Sequence, residues 1–225
     1  DIEESDEDCR SLRVILDSGG DHAKGLEVIL KGAINAVHNY DIPVIFILPS
    51  SEEKKKREIK EFVEDSRVSH SLEIVFDGKI IEMGADSRVL RNSQEYTIMK
   101  AARMAAETGG PLVSAGDTAA AIYAGILTVR RIDGKPTPGI AGIFPTDQGR
   151  CIVCDIGAIT ENDADDLVGF AKMGRVYAKR LGLGDRVAQL NIGTEDSKGG
   201  KLQKEVYDRL SKEADLNFIG NIEPG

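Results

Sequence analysis

The sequence predicts an α/β fold: a mostly parallel sheet with helices on both faces. Three observations lead there. Short runs of aliphatic residues alternate almost throughout with longer segments of helical period. One run, Val44 to Leu48, is apolar without a break, as a parallel strand buried on both faces should be. Small polar loops follow several of the strands, where open α/β sheets bind their ligands.

The elements follow in order. Leu12 to Leu16 reads as a strand, and the loop Asp17-Ser18-Gly19-Gly20-Asp21-His22 follows it. Leu26, Ile29, Leu30, Ala33, Ile34 and Val37 then mark one helix face. Val44 to Leu48 is the second strand, ended by Pro49, and Ser51 is read as the cap of a charged helix with Ile59, Phe62 and Val63 inward. Leu72 to Phe76 is a third strand, and residues 77–91 fit no regular pattern. A helix over about 94–107 turns Ile98, Ala101, Ala102 and Ala105 to one side.

Next comes Leu112-Val113, a short strand after a Gly109-Gly110-Pro111 turn. It breaks into Ser114-Ala115-Gly116-Asp117-Thr118 and resumes as an Ala-rich helix through Val129. Asp117 or Thr118 is the expected N-cap. Small residues at a helix start leave N–H groups free in a positive field, a ready anion site. The helix is apolar on nearly all faces, so a central position is expected for it. Ile140 to Phe144 and Arg150 to Cys154 read as a hairpin around 145–149. Asp163 starts a long helix that Gly182 and Gly184 end. Arg186 to Leu190 is a strand, 191–200 a loop, Leu202, Val206 and Leu210 a helix face, and Leu216 to Ile219 a last strand. No repeat or linker interrupts the pattern, so the reading is an acidic disordered tail, 1–10, and one domain, 11–225.

The formal net charge of the 225 residues is −9, which argues against a general nucleic-acid role. The cationic run Lys54 to Arg57 lies among glutamates and reads as a solvated helix face or a docking point for an acidic partner. Three cysteines, Cys9, Cys151 and Cys154, fit a reducing compartment. Cys151 and Cys154 have C-x-x-C spacing but fall in a strand, where i and i+3 face opposite sides. A redox or zinc site is therefore not expected, and no metal is assigned. No stretch reaches the ~18 apolar residues of a membrane span.

Four loops fall at strand ends: 17–22, 114–118, 155–162 and 191–200. Asp17 to Ala23 resembles the Asp-Ala-Met-Gly-Gly-Asp-His-Ala signature of the phosphate acyltransferase PlsX family. Ser114 to Thr118 resembles that family's Ser-Ala-Gly-Asn-Thr-Gly, and Asp155-Ile156-Gly157-Ala158 its Asp-Val-Gly-Ala-Asn. Phe170 to Gly174 with Tyr177, Asn191 to Gly199, and Asn217 to Glu223 match its long helix and the loop and strand that follow. The matches are collinear over about residues 12–223.

The resemblance implies a fold similar to isocitrate dehydrogenases and phosphotransacetylases. It implies conversion of acyl-[acyl carrier protein] and inorganic phosphate to acyl phosphate and free carrier protein, feeding phospholipid synthesis. It implies a cytoplasmic homodimer that associates peripherally with the membrane and uses neither nucleotide nor metal cofactor. Carried over residue by residue, Lys198 becomes the cation for the oxyanion, and His22 a base or phosphate-orienting group. Asp17, Gly19, Gly20, Asp21, Ser114, Gly116, Asp117, Thr118, Asp155, Gly157, Asn191 and Gly193 become the substrate and phosphate site. Read without the resemblance, Lys198 is a solvated loop lysine, and Asp17 and Asp21 fix their loop through backbone N–H groups.

The chain departs from the family pattern in several places. The first loop is one residue shorter. Asp117 and Ile159 stand where the family has Asn, and Gly200 replaces the Asn of Lys-Gly-Asn. An Asp beside bound phosphate repels it unless protonated or paired. The sequence also stops at Gly225, before the family's Asp-Gly-Phe-x-Gly-Asn loop. It therefore reads as the front two-thirds of a member or as a divergent relative. Two other functions stay open: a PlsX-like subunit of another acyl-phosphate pathway, such as an amino-acid reductase component, and a non-catalytic binding module.

Overall fold

The computed structural model describes residues 12–19, 23–51, 53–129, 138–159 and 161–224. The acidic tail expected over 1–10 and Cys9 lie outside them. The chain forms two compact units, residues 1–130 and 131–225.

The first unit is a four-stranded parallel sheet in the order β3-β2-β1-β4. Its elements are β1 (Val14–Asp17), α1 (Ala23–Tyr40), β2 (Val44–Leu48), α2 (Glu53–Asp65), β3 (Leu72–Phe76), a 3-10 turn (Ser87–Arg91), α3 (Thr97–Thr108), β4 (Leu112–Ser114) and α4 (Thr118–Thr128). All five residues of β2 are buried, because helices cover both faces of the sheet. Alternation sorts them. Val44, Phe46 and Leu48 join Leu16, Leu30, Ala33, Val37, Ile59 and Val63 under α1 and α2. Ile45 and Ile47 join Ile15, Ala101 and Ala105 under α3. A core built in this way draws on roughly 1.5–3 kcal/mol for each large side chain taken fully out of water.

Three expectations are refined here. The segment 77–91 contains the 3-10 turn, and the Asp86 side chain accepts from Arg88 N–H at 3.0 Å at its start. The Ser51 hydroxyl, read as a cap, donates to the Pro49 carbonyl at 3.1 Å, and α2 begins at Glu53. The segment 112–129, expected at the centre, lies at the sheet edge. Within α4 only Ala120 and Ala124 are buried, against Ile98, Met99 and Ala102 of α3 and Leu90 of the 3-10 turn. Leu127, Val129 and Val113 stay exposed. Hydrophobicity on all faces sets what a helix can bury; here two alanines are buried, and Ala121 and Tyr123 pack against them half-covered.

The second unit contains the hairpin β5 (Ala141–Thr146) and β6 (Gly149–Cys154), then α5 (Ala164–Arg180), β7 (Arg186–Leu190), α6 (Lys201–Leu210) and β8 (Asn217–Ile222). The hairpin is antiparallel and β7 pairs with β8 in parallel. Asp163 caps α5 as the sequence indicates: its carboxylate accepts from Asp166 N–H at 2.9 Å, and Asp166 returns the bond. Val168, Val187, Val206, Leu210 and Leu216 form the core between α5, α6 and the β7–β8 pair. Cys151 and Cys154 lie on β6 as free thiols, and burial pushes the Cys154 thiol above its ordinary value. Among the described residues, no helix is long and apolar enough to cross a membrane.

Candidate functional site

In the first unit the chain runs outward from β1 through β2 to β3, then returns to lay β4 on the other side of β1. The carboxyl ends of β1 and β4 therefore flank a topological switch point, where open α/β sheets leave a crevice. Asp17 ends β1, Ser114 ends β4, and the two are register partners. Ser114 Oγ donates to Asp17 Oδ2 at 2.7 Å and accepts from Gly116 N–H at 3.1 Å. Gly19 lies so close to Gly116 that a Cβ at position 19 would collide with the Ala115–Gly116 backbone, and its φ of +46° disfavours side chains in any case. The turns after β1 and β4 thus close against one another.

Asp17 is 2% exposed and Ser18 0%. Burial pushes the Asp17 carboxyl above its ordinary value, opposed by the hydroxyls of Thr97 and Ser114. Asp17 Oδ1 and Ser18 Oγ are buried without a hydrogen-bond partner among the described residues. Such groups are costly in a folded interior, and native proteins keep few of them.

Asp117 is the N-cap of α4, as expected. Its Oδ1 accepts from Ala120 N–H at 2.9 Å and its Oδ2 from Gly84 N–H at 3.1 Å. These backbone donors hold its carboxyl below the usual range, so it is ionised at neutral pH. Gly116 N–H is committed to Ser114. The donors left at this helix start are the N–H groups of Asp117 and Thr118 and the Thr118 hydroxyl.

In the second unit Asp155 serves its own loop. Its Oδ1 accepts from Ile140 N–H at 2.6 Å and its Oδ2 from Ala158 N–H at 2.8 Å and Ile159 N–H at 3.3 Å. Gly157 follows with φ +121° and open space around it. The loop 191–200 carries Lys198, whose ammonium lies 3.7 Å from the Glu195 carboxylate and is well exposed. The lysine stem lies over Gly193, where a Cβ would meet Lys198 Cγ at 2.7 Å. Asn191 is buried and accepts from Ile192 N–H at 2.8 Å. An open groove of about 420 Å³ runs beside this loop, lined by Leu190, Ile192, Gly199 and Gln203 among others.

The structure thus gathers Asp17, Gly19, Ser114, Gly116, Asp117 and Thr118 in one unit. It places Asn191, Gly193 and Lys198 on one loop of the other, with Asp155 and Gly157 on a second. Gly20, Asp21 and His22 lie outside the described residues. Two buried polar residues beside these loops were given no site role in the sequence reading. Thr97 sits in a helical pattern, and Asn221 lies just past the strand read over Leu216 to Ile219, within the Asn217–Glu223 match.

Residues 12–225 match the family described as "Fatty acid synthesis protein". The phosphate acyltransferase of Desulfitobacterium hafniense (strain Y51) is 36% identical over 217 residues, covering 94% of this chain and 62% of the relative. That of Heliobacterium modesticaldum is 37% identical over 218 residues, covering 94% and 63%. The chain thus spans under two-thirds of the length of these relatives. Among solved structures, the EutD phosphotransacetylase from Staphylococcus aureus superposes with a TM-score of 0.64 at 14% identity, over 96% of this chain and 68% of that one. That likeness concerns the fold.

Proposed function

The chain belongs to the fatty acid synthesis protein family, and from that membership we propose that it is a phosphate acyltransferase, or the larger part of one. The proposed reaction takes an acyl thioester of acyl carrier protein and inorganic phosphate to acyl phosphate and the free carrier thiol, within phospholipid synthesis. A phosphate oxygen attacks the thioester carbonyl, the C–O bond forms, and the tetrahedral intermediate expels the thiolate. The proton of hydrogen phosphate ends on sulfur.

The observation that supports this reading best is the convergence of Asp17, Ser114, Gly116 and Thr118 at the β1/β4 switch point. The phosphate is proposed to sit at the start of α4, on the N–H groups of Asp117 and Thr118 and the Thr118 hydroxyl. Asp17 and Ser114 hold the turn rather than the ligand. Lys198 is proposed to stabilise the oxyanion, a contribution worth roughly 3–4 kcal/mol for one donor in acyl transfer. Its exposed ammonium, paired only loosely with Glu195, is available for that work. No metal or nucleotide enters this scheme. Cytoplasmic location, homodimer formation and peripheral membrane contact belong to the same proposal.

One observation favours a second reading. The ionised Asp117 already occupies α4 donors and puts a negative charge where phosphate would bind. A module that keeps the fold without the chemistry fits that feature. The deciding assay measures carrier-thiol release from a long-chain acyl-[acyl carrier protein], with and without phosphate. Release only with phosphate supports the acyltransferase. Phosphate binding without release supports the module. Phosphate-dependent turnover confined to acetyl substrates supports a short-chain acyl-phosphate pathway.

A further inference from the structure

The strand β8 ends beside the loop that carries Lys198, and one side chain of that strand reaches into it. Asn221, 6% exposed, donates from Nδ2 to the Glu195 carbonyl at 2.8 Å. The same carbonyl accepts the backbone N–H of Lys198 at 3.0 Å. On its other edge, Asn221 Oδ1 accepts from Asn191 Nδ2 at 3.2 Å. Asn191 Nδ2 also donates to the Lys198 carbonyl at 3.2 Å. Both backbone polar groups of Lys198 are therefore held within one network of two buried amides. Its ammonium stays outside that network, and among the described residues its ion-pair partner is Glu195.

We propose that Asn221 is a positioning residue that aims Lys198 by clamping the loop 191–200, an inference that rests on the role assigned to Lys198 above. The chemistry of the site argues for aim over mere cohesion. A buried amide pair costs desolvation that an aliphatic pair would avoid, and only full satisfaction offsets it. Here each bond goes to the loop backbone or to the other amide, and the loop so held presents a long flexible side chain. Fixing the stem of that side chain is the available way to narrow where its head can go. Asn is required at 221 because both a donor and an acceptor are used. Aspartate keeps the acceptor and loses the donor, and leucine loses both.

The test uses the full chain and the variants Asn221→Ala, Asn221→Leu, Lys198→Ala and the double variant Lys198→Ala with Asn221→Ala. Asn217→Ala, on the same strand with its side chain on Asp185, is the control. Hydrogen exchange is read first. Asn221→Ala is expected to speed exchange of the amides of 192–198 about tenfold, the factor that loss of one ordinary hydrogen bond sets. Val187 and Val206 should keep their protection, and Asn217→Ala should leave the loop unchanged. Unchanged loop exchange in Asn221→Ala, or equal acceleration across the whole unit, overturns the clamp.

Turnover of acyl-[acyl carrier protein] with phosphate is read second. Asn221→Ala and Asn221→Leu should lower kcat on the order of a hundredfold, the scale of a misplaced catalytic group, with KM for phosphate within about twofold. In the Lys198→Ala background the same Asn221→Ala change should cost nothing further, because its effect runs through the lysine. Equal losses in both backgrounds overturn the inference while leaving the Lys198 assignment standing. Full activity of Lys198→Ala overturns that assignment and the aiming role with it, and the exchange data then report on the clamp alone.

Discussion

Asp17 and Ser114 meet at 2.7 Å across ninety-seven residues of chain, joining the ends of two adjacent parallel strands. The bond closes the switch point from within. It also gives the buried Asp17 carboxylate one of its few partners. Three predictions concern this site, and two concern side chains of the second unit.

Ser114→Ala leaves the carboxylate without that donor and frees Gly116 N–H. The expected loss is about 1–3 kcal/mol of unfolding free energy, the cost of stranding a buried polar group. Urea denaturation at neutral pH measures it. A change within about 0.5 kcal/mol, the ordinary scatter of surface substitutions, would assign the bond no structural weight.

Asp17 has a carboxyl raised above its ordinary value by burial. The native state therefore holds that proton at pH values where the unfolded chain has released it. Stability from this group is fully present below the unfolded value, 3.8, and is lost as pH rises through the higher folded value. Asp17→Asn removes the titration and keeps an acceptor for Ser114. The stability of the parent relative to this variant should fall as pH rises from 4 to 7. A difference constant across that range would show that Asp17 titrates alike in both states.

Gly19→Ala forces a side chain into a left-handed conformation and against the Gly116 backbone. The conformation alone costs on the order of 1–3 kcal/mol, and the collision adds to it. The two turns should separate, and phosphate affinity, read by calorimetry, should fall together with the melting temperature. A variant that melts and binds like the parent contradicts the close approach of the two turns.

Lys198→Ala should lower phosphate-dependent thioester cleavage on the order of 10²–10³-fold and leave a measurable residual rate, with the circular dichroism spectrum and melting temperature retained, since the side chain is well exposed. Cys154→Ser, by contrast, should cost stability and leave the rate intact. Its thiol is half-buried in β6, where a hydroxyl needs a partner that sulfur does not. A rate that responds to oxidation or to a chelator would instead give the C-x-x-C pair a chemical role.

Much of this fold was legible along the chain. The unbroken run Val44 to Leu48 is a strand buried on both faces. The period of Leu26 to Val37 is a helix over Ala23–Tyr40. Asp117 and Asp163 cap the helices whose starts they mark. The turns that carry the six proposed site residues of the first unit were legible, because glycine, serine and aspartate break the pattern between a strand and a helix; the role proposed for them comes from the resemblance. The burial of Thr97 and Asn221 was hidden, because a polar residue inside or beside a periodic pattern looks solvated until its neighbours are known, although Asn221 falls within the stretch that matches the family.

The sequence by itself determined the local elements and their faces, because periodicity, capping and turn chemistry act over a few residues of chain. Only the tertiary structure decided that β4 lies beside β1 rather than beyond β3, and so that Asp17 faces Ser114. It alone decided that Asn221 holds the loop of Lys198. Strand order and buried polar pairing arise from contacts between distant segments, and a residue's own neighbours in sequence carry no record of which segment packs against it.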